Sequence, residues 1–407
     1  MNTPIKIALD GTLFSECYLR GANRDGMMRL TEDITDQLIL KDDLDISFVN
    51  NLSIAKYNRS LKNFIQEHYP DHLKKVLTKN PLFFTDIVAY KEHFRTKLSS
   101  FSFSPYYKEI NHFDIFHSFY YPFAKSILKN KVKRSITYLD IIALKLNGYP
   151  DYLVNRTKEI VDCIAGNFAI SISEFSRQDL LEYDNKIDPA KVFVVPLAAS
   201  SQLFYQSKNK EDWEVVKEKY NLPDHYFLSV TGNDKRKNIA HLIKAFNQFI
   251  LQEKSADIDL VLTGNGAHNR AMLEELNISK EVQKRIFIPE RFIDSEDLAV
   301  LYSNAVSFFF MSYYEGFGLP ALEAMQCGVP VVAADNTSLP EVVGEAGILI
   351  SPYDADRLSE EMRRLYNDEQ LRNRLAEASL IRSSEFSWKR CANEYADIFK
   401  KIKSDFN

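Results

Sequence analysis

The sequence predicts an α/β protein of two domains, each a parallel sheet wound with helices. Three observations predict it. At 407 residues the chain is longer than one hydrophobic core usually serves. Short apolar runs alternate with helical patterns through both halves, the rhythm of βαβ units. In the second half, apolar strands run repeatedly into glycine-containing loops and then into helices, as in open sheets that bind ligands at their carboxyl edge.

In the first domain, strands are expected over residues 6–9, 46–49, 115–118, 135–138, 163–165 and 192–195. In the second they are expected over 226–230, 259–263, 286–288, 306–311 and 329–333. The polar, irregular stretch 199–212 reads as the interdomain linker, which gives domains of 1–198 and 212–380. Residues 53–111 break the rhythm and read as a helical insertion rich in aromatics, among them Tyr57, Phe64 and Tyr69. A terminal amphipathic helix is expected over 384–407, burying Trp388.

Composition narrows the function classes. Hydrophobic residues make up 45% and charged residues 26%, so the chain can build ordinary globular cores. A net charge of −5 argues against nucleic acid as a partner of the whole molecule. Residues 1–10 enter a strand directly without the apolar region of a signal peptide, and no apolar run approaches the roughly 20 residues that span a bilayer. A cytoplasmic location is therefore expected. Cys17, Cys163, Cys327 and Cys391 are scattered with no Cys-x-x-Cys pair, which speaks against a disulfide framework or a zinc site. With no Asp-x-Asp or His/Asp constellation, no metal is expected in catalysis.

The most informative segment runs from Glu315 through Gly-Phe-Gly-Leu-Pro to Glu323. A buried strand precedes it, and a helix with Pro320 in its first turn follows. Such a junction presents unpaired backbone N–H groups to an anion. A second basic segment, Lys235-Arg-Lys-Asn238, follows the strand at 226–230. Arg236 offers a planar fork and Lys237 a compact charge, two cations suited to an anionic ligand. Gly264 ends a further strand, at a turn able to approach a nucleotide.

Together, Ser312-Tyr-Tyr-Glu-Gly-Phe-Gly-Leu-Pro-Ala-Leu-Glu-Ala-Met-Gln-Cys-Gly-Val-Pro and the downstream Leu339-Pro-Glu-Val-Val343 resemble the signature of glycosyltransferase family 4. The resemblance implies the GT-B fold: two Rossmann-like domains facing each other across a cleft. It also implies a retaining, metal-independent transferase that uses a nucleotide diphosphate sugar as donor substrate and needs no cofactor. The implied partners are that nucleotide sugar and a glycan or lipid-linked acceptor, in cell-surface polysaccharide synthesis.

Residue by residue, it implies that Arg236 and Lys237 stabilise the diphosphate and that Glu315 orients the donor sugar. Amides of Gly316, Phe317, Gly318 and Leu319 would hold phosphate or sugar, and Glu323 the ribose. The loop around Phe292 would read the base.

The first domain departs from the family. Leu139 stands where a histidine is usual, beside the matching Asp140, which leaves His117 either as a substitute sugar contact or as a buried structural histidine. Met28 interrupts the glycine-rich loop, leaving Gly26 and Arg29 as contacts. The basic run Lys125, Lys129, Lys131, Lys133 and Arg134 could meet an anionic membrane face. Two alternatives stay open: a catalytically silent subunit of the same fold that binds a partner transferase or a glycan, and a nucleotide-sugar epimerase.

Overall fold

In the computed structural model the described residues are 3–21, 26–51, 55–77, 105–230, 234–264, 266–276 and 278–405. They fall into two compact units. Unit 1 comprises Met1–Pro196 with Trp388–Asn407, and unit 2 comprises Leu197–Ser387.

Unit 1 holds a seven-stranded sheet. Its strands are β1 (Ile5–Asp10), β2 (Leu44–Val49), β3 (Val76–Leu77), β4 (Ile115–Ser118), β5 (Lys133–Tyr138), β6 (Phe168–Ser171) and β7 (Val192–Val194). The order is β3-β2-β1-β4-β5-β6-β7, every pair parallel. Both faces are covered by helices, so the central strands carry near-continuous apolar runs, and Ile7, Ala8, Leu9, Ile115 and Phe116 are fully buried.

Two expectations about this unit are corrected. Residues 163–165 end the helix Asp151–Ile164, and the strand lies at Phe168–Ser171. Cys163 and Ile164 look strand-like because that helix turns them into the core. Residues 55–77 are not inserted at all. They form the helix Ala55–His68 and strand β3, the ordinary continuation of the sheet. Tyr57, Phe64 and Tyr69 are buried there, with Phe64 stacked on Phe14 at 4.6 Å. The rest of the presumed insertion, 78–104, lies outside the described residues.

Unit 2 holds six parallel strands: β8 (Tyr226–Val230), β9 (Asp259–Thr263), β10 (Ile286–Phe287), β11 (Ser307–Phe310), β12 (Val331–Ala334) and β13 (Ile348–Ile350). Their order is β10-β9-β8-β11-β12-β13. The stretch read as a linker packs with this unit. Phe204 is buried, its carbonyl accepts from Gln326 Nε2 at 2.6 Å, and Ser207 N donates to Ser303 Oγ at 2.9 Å.

The helix Trp388–Asp405 returns to unit 1. Cys391, Tyr395, Phe399 and Ile402 form its buried stripe at helical spacing. Tyr395 Oη bonds Thr137 Oγ1 at 2.8 Å. Lys133 Nζ donates to the carbonyls of Ile402 and Lys403 at 2.8 and 3.0 Å, satisfying groups that every helix end leaves open. Trp388 is only half-buried, at the solvent end of the stripe. No described helix is long and apolar enough to cross a membrane.

Candidate active site

In unit 2 the strand order reverses between β8 and β11. At such a switch point adjacent crossovers leave on opposite faces and a crevice opens at the carboxyl edge. The loops after β8 and β11 flank that point, and they carry Arg236, Lys237 and Glu315.

The three side chains form one buried ionic cluster. Lys237 Nζ donates to Glu315 Oε1 at 2.7 Å, and Arg236 Nη1 meets the same oxygen at 2.5 Å. Arg236 is fixed further, donating through Nε to Asp234 Oδ2 at 2.8 Å and through Nη1 to the Tyr314 carbonyl at 2.9 Å. Lys237 lies 4.4 Å from the centre of the Phe310 ring, a cation–π contact from the strand below.

Backbone bonds hold the two loops together, with Tyr313 N donating to the Arg236 carbonyl at 2.7 Å. Thr337 Oγ1 accepts from Glu315 N at 3.2 Å, and Ser338 Oγ donates to the carbonyls of Glu315 and Phe317 at 2.9 and 2.8 Å. The basic turn is therefore packed and not solvated. Only 9% of the Glu315 side chain and 14% of that of Lys237 are exposed.

Burial pushes the Glu315 carboxyl up, but Lys237 and Arg236 together push it down further, and the net shift is downward. It is ionised at neutral pH. For Lys237 burial dominates and lowers it, with Arg236 acting the same way and Glu315 opposing. With Asp234, the cluster has two anions and two cations and is electrically balanced. Both cations bind at Oε1. Among the described residues none donates to Oε2, which stays available to a ligand hydroxyl.

Glu315 leads into the helix Leu319–Gln326, whose N-cap is Gly318 at φ +111°. A side chain there would strain the backbone and also meet Leu339 Cδ2 at 2.6 Å, so glycine is required. The Gly318 carbonyl accepts from Ala321 N and Leu322 N at 3.0 and 3.3 Å. The amides of the preceding loop and of Leu319 lie at the positive end of this helix. Gly316 and Phe317 are buried, and Leu319 is half-buried. Glu323, on the same helix, accepts from Tyr302 Oη at 3.3 Å. Gly264 closes β9 at φ +108°. The Phe292 side chain is exposed. Its loop is tied down by Arg291, which donates to the Lys219 carbonyl at 2.8 Å and stacks its guanidinium 4.9 Å from the centre of the Tyr220 ring.

In unit 1 the expected residues are not gathered in this way. Gly26 opens the helix Gly26–Leu38, and the half-buried Arg29 lies in its first turn. Met28 points into the core, 2% exposed, so it does not crowd a phosphate loop as its place in the sequence suggested.

Of the two readings of His117, the structure bears out the structural one. It is fully buried, its Nδ1 bonds Ser135 Oγ at 2.8 Å, and its Nε2 bonds Thr137 Oγ1 at 3.1 Å. The rings of Phe119, Tyr395 and Phe399 close around it. Burial pulls its pKa down to about 3, so it is neutral at any working pH. Asp140 Oδ1 accepts from Ile142 N at 3.0 Å and so turns the chain into the short helix Ile142–Lys145. In the basic run, Lys133 and Arg134 are engaged by backbone carbonyls, while Lys125, Lys129 and Lys131 are exposed.

Sequence reasoning missed Asp10, at the corresponding switch point of unit 1 between β1 and β4. Oδ1 accepts from Thr12 N and Asn51 N at 3.0 Å each and from Thr12 Oγ1 at 2.5 Å, while Oδ2 accepts from Ser118 Oγ at 2.9 Å. Burial raises its pKa against these bonds. One carboxyl thereby ties the loops after β1, β2 and β4. Its only local sign is the Asp-x-Thr spacing at a strand end. Among the described residues no group of three or more His, Cys, Asp or Glu could hold a metal ion.

Residues 211–381 match the family model for glycosyl transferases group 1. The chain is 32% identical over 253 residues to O-antigen chain mannosyltransferase B of Escherichia coli, covering 62% of this chain and 64% of that protein. It is 29% identical over 238 residues to the MMP alpha-(1->4)-mannosyltransferase of Mycolicibacterium hassiacum, covering 57% of this chain and 53% of the relative. The chain thus spans less than two thirds of the length of either relative. Among solved structures, sucrose-phosphate synthase from Thermosynechococcus elongatus superposes with a TM-score of 0.70 at 20% identity, over 98% of this chain and 99% of the other. HepE of Anabaena, in complex with UDP and glucose, superposes with a TM-score of 0.66 at 16% identity, over 97% and 99%. Through its second unit this chain is similar to the group 1 glycosyltransferases, and it shares the GT-B fold of these solved structures.

Proposed function

We propose that this protein moves a hexosyl group, mannosyl first among candidates, from a nucleotide diphosphate sugar to a hydroxyl of a glycan or lipid-linked acceptor, with retention of anomeric configuration. The observation that carries the reading is the Glu315 carboxylate, clamped at Oε1 by Arg236 and Lys237 with Oε2 left for a ligand. Two relatives named as mannosyltransferases support the sugar, and the O-antigen relative supports polysaccharide synthesis as the setting. That both act by transfer favours transfer over epimerisation.

In this reading Glu315 Oε2 accepts a hydroxyl of the donor sugar. Arg236 and Lys237 share their charge with the diphosphate as it leaves. Because the cluster is already ordered, no reorganisation is needed when that charge develops. Amides of Phe317, Gly318 and Leu319 add the field of the helix N-terminus. Glu323 takes the ribose, Gly264 lets the nucleotide approach, and the backbone near Phe292 meets the base. The acceptor falls to unit 1, where Gly26, Arg29 and Asp140 remain candidates. The exposed Lys125, Lys129 and Lys131 support a peripheral contact with the cytosolic membrane face.

A panel of nucleotide sugars tested by thermal shift in excess EDTA examines the donor and the absence of metal together. The matching donor, at 100 times its dissociation constant, is expected to add about 2.7 kcal/mol to stability. Stabilisation that appears only when Mg²⁺ or Mn²⁺ is restored would contradict metal-independent binding.

A further inference from the structure

Beside the ionic cluster stands a pair of aromatic rings that the proposed chemistry does not use. Tyr353 is 75% exposed, among the most exposed large hydrophobic side chains of the protein. It lies in the turn between β13 and the helix Ala355–Asn367. Its ring stacks on Tyr313, with centroids 5.2 Å apart and planes inclined by 24°. Tyr313 is two residues before Glu315.

The pair is held in place from several directions. Asn238, which follows Lys237, adopts φ +57° and donates through Nδ2 to the Pro352 carbonyl at 2.8 Å. Asn336 Nδ2 donates to the Tyr313 carbonyl at 2.9 Å. Tyr313 N donates to the Arg236 carbonyl at 2.7 Å. Ser351 Oγ accepts from Tyr353 N at 3.4 Å. The loops after β8, β11, β12 and β13 are thus joined in one layer at the carboxyl edge of the sheet, with the open face of Tyr353 at its rim.

Because its backbone is fixed and its ring is stacked, Tyr353 presents one aromatic face in a set orientation. Stacking on Tyr313 uses one face and leaves the other to solvent. Pyranose rings present a patch of C–H groups that lies flat on such a face, while their hydroxyls point to the sides. Asp354, the next residue, is exposed and uses Oδ1 to cap the following helix through Arg357 N at 2.9 Å. Among the described residues none donates to its Oδ2, which can accept a hydroxyl.

We propose that Tyr353, backed by Tyr313, is a platform that stacks a hexopyranose ring of the glycan under construction. It would hold the growing chain near the donor site and favour long acceptors over short ones. This rests on the reading of the protein as a glycan-building transferase. It assigns a site outside the donor pocket, on the donor-binding unit itself.

The test is affinity electrophoresis of the full chain in native gels cast with soluble α-mannan or α-glucan, which requires no turnover. The parent protein is expected to be retarded in at least one of the two. Tyr353→Ala should weaken that retention about fivefold, the equivalent of one lost stacking contact, while Tyr353→Phe keeps it. A parent that runs freely in both gels, or an alanine variant retarded like the parent, overturns the platform. Retention that depends on the ring in a protein without transferase turnover would support the platform and count against the transfer reading alone.

Discussion

Replacing Glu315 by glutamine is expected to lower turnover by about 10²–10³-fold, the usual loss when one preorganised electrostatic contact to the reacting group is removed. The shape is retained, but the amide cannot balance two cations. Arg236 keeps Asp234 as a partner at 2.8 Å, so Lys237 is the charge left stranded. Breaking a buried pair in this way typically costs about 3–5 kcal/mol, so the variant should also melt earlier. A solvated basic loop would cost little in folding when altered, and burial of this pair changes that.

The acid limb of the stability profile carries the same signature. The folded Glu315 pKa lies below its ordinary value, so its stabilisation is present above that value and lost as pH falls through the folded one. Steady-state rates taken well below the melting temperature separate the two effects. Turnover within a few-fold of the parent would remove Glu315 from the chemistry.

Gly318→Ala is expected to be nearly as damaging, through geometry rather than charge. At φ +111°, and with Leu339 Cδ2 2.6 Å from the new Cβ, the substitution meets backbone strain and overpacking together. Each costs on the order of 1–3 kcal/mol. In a unit of this size that corresponds to a melting temperature lower by roughly 5–15 °C. Because Gly318 caps the helix proposed to face the leaving group, activity should fall further than stability explains. A variant that melts with the parent would show that the loop tolerates a side chain and that its conformation is not set by this glycine.

The unit 2 site was legible because its parts are contiguous in sequence. A strand, a glycine turn and a helix opened by proline can be read within twenty residues, and the helix Leu319–Gln326 begins within a residue of where Pro320 placed it. What spacing could not give is the Lys237–Glu315 contact, between residues 78 positions apart. That contact depends on β8 and β11 being neighbours at the switch point.

Strands β3 and β13, of two and three residues, escaped notice. Asp10 was passed over because Asn51 and Ser118, two of its partners, are far along the chain. The two readings of His117 stayed undivided in the sequence for a related reason. The rings that bury it include Tyr395 and Phe399 of the terminal helix, and nothing near residue 117 announces their arrival.

The central claim is retaining transfer from a nucleotide diphosphate sugar at the Glu315 cluster. The most direct test is proton NMR of a reaction containing nucleotide diphosphate α-mannose, a mannoside acceptor and EDTA, run with the parent and with Glu315→Gln. The predicted result is release of the nucleoside diphosphate with a new α-glycosidic anomeric signal, nearly absent in the variant. A β-linked product, an epimerised donor, or equal product from both proteins would contradict it.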